Sequence, residues 1–213
     1  MIFNKVNGRL LGKVAFITGV SHGGGAEIAQ RFALEGATVV VADYCYEKAQ
    51  EISLSCGRSS WAMGLDLTDN AAVLTSVAQI TRRYRQLDFV INNSGINVRG
   101  GASDGGDAAS KIAFDVNVKG IWRVMTAAWP QMMKQGFGKI INQSLCADHG
   151  GIPRDSNGST NKSAIALMSE GAALSGALHG IEVDSLCQYC HSEGATSAFL
   201  DFALRERRLV SAL

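Results

Sequence analysis

Short runs of apolar residues alternate with longer stretches of helical periodicity along this chain. The short runs cover residues 14–18, 38–42, 61–64, 87–92, 139–143 and 181–186. They have the length of strands, and strands separated by helices are typical of strand–helix–strand units that build a parallel sheet. The pattern therefore predicts an α/β fold with helices packed on a sheet of about six parallel strands.

Helical periodicity fills the segments between these strands. It predicts helices at about 26–35, 46–55, 69–84, 108–135 and 160–178, with a last amphipathic helix from Thr196. Either Thr68 or Asp69 is expected to cap the third helix, because both side chains accept hydrogen bonds from free backbone N–H groups. Pro130 should bend or shorten the fourth helix, since proline lacks the N–H that a helix interior needs. Residues 146–159 are rich in Gly, Pro, Asp, Asn and Ser and are expected to form a loop.

Length and charge narrow the class of protein. The 213 residues fit a single domain, with a nucleotide half at about 8–107 and a substrate and oligomer half at about 108–213. With 20 Lys and Arg against 19 Asp and Glu, the net charge of +1 gives no basic surface for a nucleic acid or an anionic membrane. No apolar run reaches the roughly 20 residues of a spanning helix, and the first residues lack a secretion signal. We therefore expect a cytoplasmic protein.

The cysteines do not indicate a disulfide framework, because their number is odd and their spacing is irregular. Cys187 and Cys190, followed by His191, match the pattern of a haem attachment site or a redox pair. Two buried thiols after a strand explain them more simply, and no second pair of metal ligands accompanies them. We predict no metal site.

A glycine-rich turn follows the first strand and has the form of a nucleotide-binding loop. Glycines at this position let the backbone approach a pyrophosphate, which the free N–H groups at the start of the next helix then bind. Asp43 ends the second strand about 20 residues later, where a carboxylate can bind a ribose 2′-hydroxyl. Because a carboxylate repels a 2′-phosphate, NAD(H) is favoured over NADP(H).

Several motifs together resemble the short-chain dehydrogenase/reductase family over roughly residues 8–196. The matching positions are the Thr-Gly-x-x-x-Gly-x-Gly turn from Thr18, Asp66-Leu67, Asn92-Asn93-Ser94-Gly95, Asn117 and Lys162. The resemblance implies a single Rossmann-like, doubly wound domain with the strand order 3-2-1-4-5-6. The predicted cofactor site comprises Gly19, Ser21, His22, Gly23, Gly24, Gly25, Asp43, Asp66, Leu67, Asn93, Gly95 and Lys162.

Two positions depart from the catalytic pattern that the resemblance implies. The family tyrosine lies four residues before its lysine, and here that position is Gly158. The family serine lies a further thirteen residues back, at Leu145, with Ser144 one residue away. Without the tyrosine, fast ketone reduction by the ordinary family mechanism is not expected. His149, on the predicted loop, is the best alternative proton donor because an imidazole titrates near neutral pH.

The remaining family positions suggest roles for two residues. Lys162 would hold the nicotinamide ribose, and Asn117 would either support a water relay or tie its helix to the sheet backbone. The predicted catalytic residues are therefore Asn117, Ser144, Lys162 and His149. The helices that carry Asn117 and Lys162 resemble surfaces through which relatives form dimers and tetramers, so a homodimer or homotetramer is expected.

Three functions remain open at this stage. The first is an NAD(H)-dependent oxidoreductase that acts on a small alcohol or carbonyl with an altered site. The second is a catalytically impaired relative that binds NAD(H) in a structural or sensing role. The third is a lyase, isomerase or cyclase that uses the same pocket without net redox change.

Overall fold

The structure of the chain is a computed structural model that describes residues 8–21, 24–96, 106–145 and 156–188. These residues form one α/β domain around a parallel sheet. Its strands are β1 (Val14–Thr18), β2 (Thr38–Asp43), β3 (Trp61–Gly64), β4 (Phe89–Asn92), β5 (Gly138–Leu145) and β6 (Ile181–Gln188). They are arranged in the order β3-β2-β1-β4-β5-β6, which confirms the predicted topology.

Helices connect the strands and lie on both faces of the sheet. They are α1 (Gly24–Leu34), α2 (Tyr46–Ser55), α3 (Asn70–Tyr84), α4 (Asp107–Phe114), α5 (Gly120–Gln135) and α6 (Ser156–Gly176). A π-helical segment (Asp115–Lys119) joins α4 to α5, and a 3₁₀ turn (Ala177–His179) follows α6. Asp69 caps α3, since its side chain accepts hydrogen bonds from the backbone N–H groups of Ala71 and Ala72.

The core consists of two apolar layers, one on each face of the sheet. Neighbouring strand residues point to opposite faces, so Phe16 packs with α3, α5 and α6 while Ile17 packs with α1 and α2. All five residues of β1 are buried. A central parallel strand covered on both faces needs such a continuous apolar run, which is why the sequence pattern located it correctly.

The fourth predicted helix differs from the expectation of one continuous α-helix. Residues 115–119 form π-helical turns, in which the N–H of Gly120 bonds the carbonyl of Asp115. Pro130 does not shorten the helix, which continues to Gln135. The Gln135 amide donates to the Leu87 carbonyl over 2.7 Å, and this tertiary contact holds the last turn in place.

The predicted loop at 146–159 is wrong in its last four residues. Helix α6 begins at Ser156 rather than at about residue 160. Small polar residues have weak helix propensity, and they gave the segment the appearance of a loop. Contact with α4 supports the turn instead, because Ser110 donates a hydrogen bond to the Asn157 side chain over 3.0 Å.

Two further expectations have different outcomes. The last amphipathic helix, predicted from Thr196, lies outside the described residues. Within the described ranges, none of the helices combines the length and the apolar character that a membrane span requires.

Candidate functional site

A cavity of about 270 Å³ opens where the carboxyl ends of β1, β2, β3 and β4 meet. We call it the strand-end cavity. It lies beside the point where the strand order reverses, which is where open parallel sheets bind their ligands. Six of the predicted cofactor residues line it: Gly19, Asp43, Asp66, Leu67, Asn93 and Gly95.

Gly19 brings the turn after β1 against the end of β4. Its φ of 72° lies in the left-handed region, and a Cβ there would be 2.5 Å from both the backbone N and the Cα of Ser94. The Asn93 side-chain amide donates a hydrogen bond to the Gly19 carbonyl. Only glycine satisfies both the backbone conformation and this close approach.

Asp43 joins the turns that follow β1 and β2. Its Oδ2 accepts a hydrogen bond from the backbone N–H of Ser21 over 2.9 Å, and its Oδ1 accepts one from Cys45 over 3.0 Å. A carboxylate has about four acceptor positions, so capacity remains for ligand hydroxyl groups. The Ser21 hydroxyl is buried and has no hydrogen-bond partner among the described residues.

The segment after β3 forms the wall opposite the glycine turn. Asp66 Oδ1 accepts hydrogen bonds from the backbone N–H and the hydroxyl of Thr68, both over 2.8 Å. This turn fixes the backbone at Leu67, whose side chain lines the strand-end cavity and is 6% exposed. The wall therefore combines a fixed polar turn with an apolar surface.

Asn117 is bonded at both ends of its side-chain amide to one backbone residue. Its Oδ1 accepts from the N–H of Ile96, and its Nδ2 donates to the carbonyl of Ile96, each over 2.8 Å. Gly95 lies beside this pair, and a Cβ there would be in ordinary van der Waals contact with Asn117 Oδ1 at 3.4 Å. Asn117 thus ties the π-helical segment to the loop after β4, which corresponds to the structural one of its two predicted roles.

Arg123, near the start of α5, crosses to the segment after β3. Its guanidinium donates to the Leu67 carbonyl over 2.9 Å, to the Asp115 carbonyl over 3.2 Å and to the Asp115 carboxylate over 2.8 Å. The hydrogen bond from Arg123 lowers the pKa of Asp115 below its ordinary value, and the charges of Arg123 and Lys119 lower it further. Asp115 is therefore anionic at neutral pH.

A buried chain of polar side chains sets the position of α6, the helix that carries Lys162. The Asn92 amide donates to Asn142 Oδ1 over 2.8 Å, and the Asn142 amide donates to the Ser169 hydroxyl over 2.9 Å. All three side chains are almost fully buried, so each hydrogen bond has a high energetic value. These hydrogen bonds connect β4, β5 and α6 and so fix the position of α6 on the sheet.

Two of the predicted catalytic residues, Lys162 and Ser144, lie on α6 and β5. Lys162 is half-buried on α6, and Gly158 lies one helical turn earlier on the same face. Ser144 is 3% exposed in β5, opposite Cys187 of β6, and Leu145 ends the strand. Gly24 and Gly25 are the first residues of α1. His22, Gly23, His149 and Cys190 lie outside the described residues.

Several residues at the site were not predicted. The strand-end cavity is also lined by Tyr44, Leu65, Ser94, Ile96 and Val116. All five adjoin predicted residues in the sequence, and this adjacency was the available signal. Arg123 follows no local pattern, because it reaches the site through helix packing.

Comparison with known proteins agrees with this geometry. The sequence model of the family described as "short chain dehydrogenase" matches residues 13–198. The oxidoreductase UcpA of Salmonella typhimurium is 32% identical over 183 residues, covering 84% of this chain and 70% of that protein. Galactitol 2-dehydrogenase of Agrobacterium fabrum is 32% identical over 179 residues, with the same shares covered.

Solved structures of similar fold include proteins crystallised with either coenzyme. An NAD⁺-bound xylitol dehydrogenase superposes with a TM-score of 0.80 at 28% identity, covering 84% of this chain and 70% of that one. A metagenomic short-chain oxidoreductase in complex with NADP superposes with a TM-score of 0.87 at 22% identity, covering 93% of each chain. The fold, the strand-end cavity and the family match lead to one conclusion: the chain belongs to the short-chain dehydrogenase family.

Proposed function

We propose that this protein is an NAD(H)-dependent oxidoreductase that acts on a small alcohol or carbonyl compound through an altered catalytic site. The observation that carries the proposal is the strand-end cavity, with the Asp43 carboxylate at its edge and the Gly19 turn beside it. Both features have the chemistry that an adenine dinucleotide requires.

The described residues fit the adenosine and pyrophosphate parts of such a coenzyme. Asp43 retains acceptor capacity for ribose hydroxyls, and the Ser21 hydroxyl, which has no partner among the described residues, is proposed as a donor to a phosphate oxygen. Leu67 and Val116 supply apolar surface for a base. A 2′-phosphate next to Asp43 would bring two anions together, so we expect NAD(H) to bind more tightly than NADP(H).

The nicotinamide coenzyme supplies or accepts the hydride when bound. Lys162 is proposed to hold its ribose, because α6 presents this ammonium group on the face that also carries Gly158. Gly158 cannot exchange a proton, so His149 or Ser144 is proposed to move the proton to or from the substrate oxygen. Asn117 fixes the loop at Ile96, which borders the strand-end cavity.

The missing tyrosine limits the expected rate rather than abolishing turnover. Loss of a general acid–base group typically costs about 10²- to 10⁴-fold. This factor corresponds to roughly 3–5.5 kcal/mol of activation free energy. Positioning of hydride donor and acceptor contributes roughly 7–11 kcal/mol by itself. We therefore expect slow but measurable turnover.

Open-chain polyols are the first substrates to test, because galactitol 2-dehydrogenase and xylitol dehydrogenase are among the similar proteins. Exposed apolar side chains on α5 and α6, including Trp122 and Leu167, support a homodimer or homotetramer through these helices. Assembly through α6 would also border the site at Lys162.

A catalytically impaired NAD(H)-binding protein is the second candidate, and Gly158 in place of the tyrosine favours it. The two functions make different predictions for the same panel of polyols and ketones. An oxidoreductase changes absorbance at the nicotinamide band, and His149→Ala reduces the rate. A binding protein takes up NADH at micromolar concentration without turnover.

Gly158→Tyr tests the proposal most sharply, with Gly158→Phe as the matched control. Both variants add an aromatic ring on α6, but only tyrosine adds a hydroxyl. We expect Gly158→Tyr to increase kcat by about 10² or more and Gly158→Phe to leave it near the wild-type value. If NADH binds to all three proteins and none shows turnover, the oxidoreductase proposal fails and the binding role replaces it.

A further inference from the structure

The strand-end cavity has two walls that come from distant parts of the chain. One wall is the segment after β3, where Leu65, Asp66 and Leu67 line the cavity. The other includes Val116, which lies in the π-helical segment between α4 and α5. Backbone hydrogen bonds of the sheet do not join these walls, since neither is part of a strand. Their spacing therefore depends on side chains.

Arg123 connects the two walls directly. One guanidinium nitrogen, Nη1, donates both to the Leu67 carbonyl over 2.9 Å and to the Asp115 carbonyl over 3.2 Å. The other, Nη2, donates to the Asp115 carboxylate over 2.8 Å. A guanidinium is a rigid planar fork, so three simultaneous acceptors fix the separation of the segments that contain them. The side chain is 17% exposed, which limits the loss of these bonds to water.

The surroundings of Arg123 set it apart from the neighbouring cation, Lys119. A Cβ on Gly120 would lie 2.9 Å from the Leu67 Cβ, so α5 packs against the wall with no spare room. Lys119 also approaches the Asp115 carboxylate, at 3.5 Å, but its side chain is 58% exposed, and among the described residues its ion pair is with Asp115. Lys119 thus shares the anion with Arg123 without bridging the walls.

We infer that Arg123 is a positioning residue that fixes the spacing of the two walls of the strand-end cavity, and through it the affinity for the adenine end of the coenzyme. The inference rests on the proposed function, since the ligand of the cavity is the one proposed above. Arg123 itself does not line the cavity, and its effect is transmitted through Leu67 and Val116. A preorganised cavity binds more tightly because its walls need no ordering when the ligand enters.

Calorimetric titration with AMP and NADH tests this role in four proteins: wild type, Arg123→Leu, Arg123→Lys and Lys119→Met. AMP contains only the adenosine and phosphate parts, so it reports on this end of the site. We expect Arg123→Leu to weaken AMP and NADH binding about tenfold. Arg123→Lys should have a smaller effect, because an ammonium keeps the charge but lacks the fork. Lys119→Met, which removes a cation from the same Asp115, should stay within about twofold of wild type.

The outcomes separate the inference from the proposed function. If wild type binds AMP and NADH and Arg123→Leu binds AMP equally well, the inference is overturned while the proposed function stands. If wild type binds neither ligand, the proposed function itself fails. A lower urea midpoint for Arg123→Leu with unchanged AMP affinity would show a merely structural role and also overturn the inference. Should Arg123→Leu not fold, Arg123→Lys supplies the decisive comparison with wild type.

Discussion

Asn117 and Ile96 form a two-point hydrogen-bonded pair between a helix side chain and a loop backbone. Both bonds are 2.8 Å long, and together they use the N–H and the carbonyl of Ile96. The pair holds the loop after β4 against the π-helical segment, so that Ile96 and Val116 line the same cavity. A residue predicted to be catalytic from the family resemblance therefore holds a loop that lines the strand-end cavity.

Replacement of Asn117 should loosen this loop. Asn117→Ala removes both bonds to Ile96, whose exposed backbone groups can then bond to water, and we expect a loss of about 0.5–1.5 kcal/mol in the free energy of unfolding. Asn117→Asp keeps an acceptor for the Ile96 N–H and should lose less. Urea unfolding of the two variants measures the difference. If Asn117→Ala were as stable as wild type, the Asn117–Ile96 hydrogen bonds would not hold the loop to the helix.

Gly19 should tolerate no side chain. In Gly19→Ala the new Cβ would meet the Ser94 backbone at 2.5 Å, at a φ of 72° that already disfavours alanine. We expect a loss of stability above about 2 kcal/mol together with weaker NADH binding. Gly12→Ala is the matched control, since Gly12 has a similar φ of 76° with no atom within 4 Å of its Cβ position. It should lose only about 1 kcal/mol and bind NADH normally.

Asp43 should control the choice between the two coenzymes. Asp43→Asn removes the negative charge while keeping the size of the side chain, so the repulsion of a 2′-phosphate should disappear. We expect the NADH affinity to fall about tenfold and the preference over NADPH to shrink by a similar factor. Calorimetric titrations with both coenzymes give the two ratios. An unchanged preference would place the ribose away from Asp43.

Acid should destabilise the protein partly through Glu35, which is buried between two arginines. Its carboxylate contacts Arg9 at 2.9 Å and Arg31 at 3.1 Å, and the Arg9 hydrogen bond lowers its pKa below the ordinary value of 4.5. A lowered pKa means that the stabilisation is complete above about pH 4.5 and is lost as the pH falls through the lower folded value.

Glu35→Gln removes this contribution and tests its sign. We expect the variant to lose about 1–3 kcal/mol of stability at pH 7 and to show a flatter acid limb than wild type. Glu51→Gln is the control, because Glu51 pairs with Lys48 at an exposed position and should change neither quantity. Thermal unfolding of wild type and both variants between pH 3 and pH 7 measures the difference in stability. If Glu35→Gln lost stability in acid as steeply as wild type does, the acid sensitivity would come from other carboxyl groups.

Local patterns were sufficient to predict most of the fold. Strand β1, helix α2 and strand β3 begin and end at the predicted residues, because continuous apolar runs and amphipathic periodicity are properties of neighbouring residues. The start of α6 at Ser156 was not predictable in this way. There a contact with Ser110, 47 residues away, outweighs the weak helix propensity of the segment.

The candidate site likewise contains residues that local sequence patterns predict and residues that they do not. Asp43 and Gly19 were found because each lies at the carboxyl end of a strand, and the carboxyl ends of parallel strands meet at one edge. Arg123 was not found, since its acceptor at Leu67 lies 56 residues away and a backbone carbonyl has no sequence signature. The π-helical turns that present Val116 were equally hidden, because they shift the hydrogen-bond register without changing the periodicity of the sequence.

The central claim is that the strand-end cavity binds the adenine end of a nicotinamide coenzyme. Calorimetric titration of the folded wild-type protein with NADH, repeated in the presence of saturating AMP, tests it most directly. We expect saturable NADH binding at micromolar concentration. AMP should compete with NADH for the site, and Gly19→Ala should weaken the binding. The absence of any binding heat with NADH or NAD⁺ at millimolar concentration would contradict it.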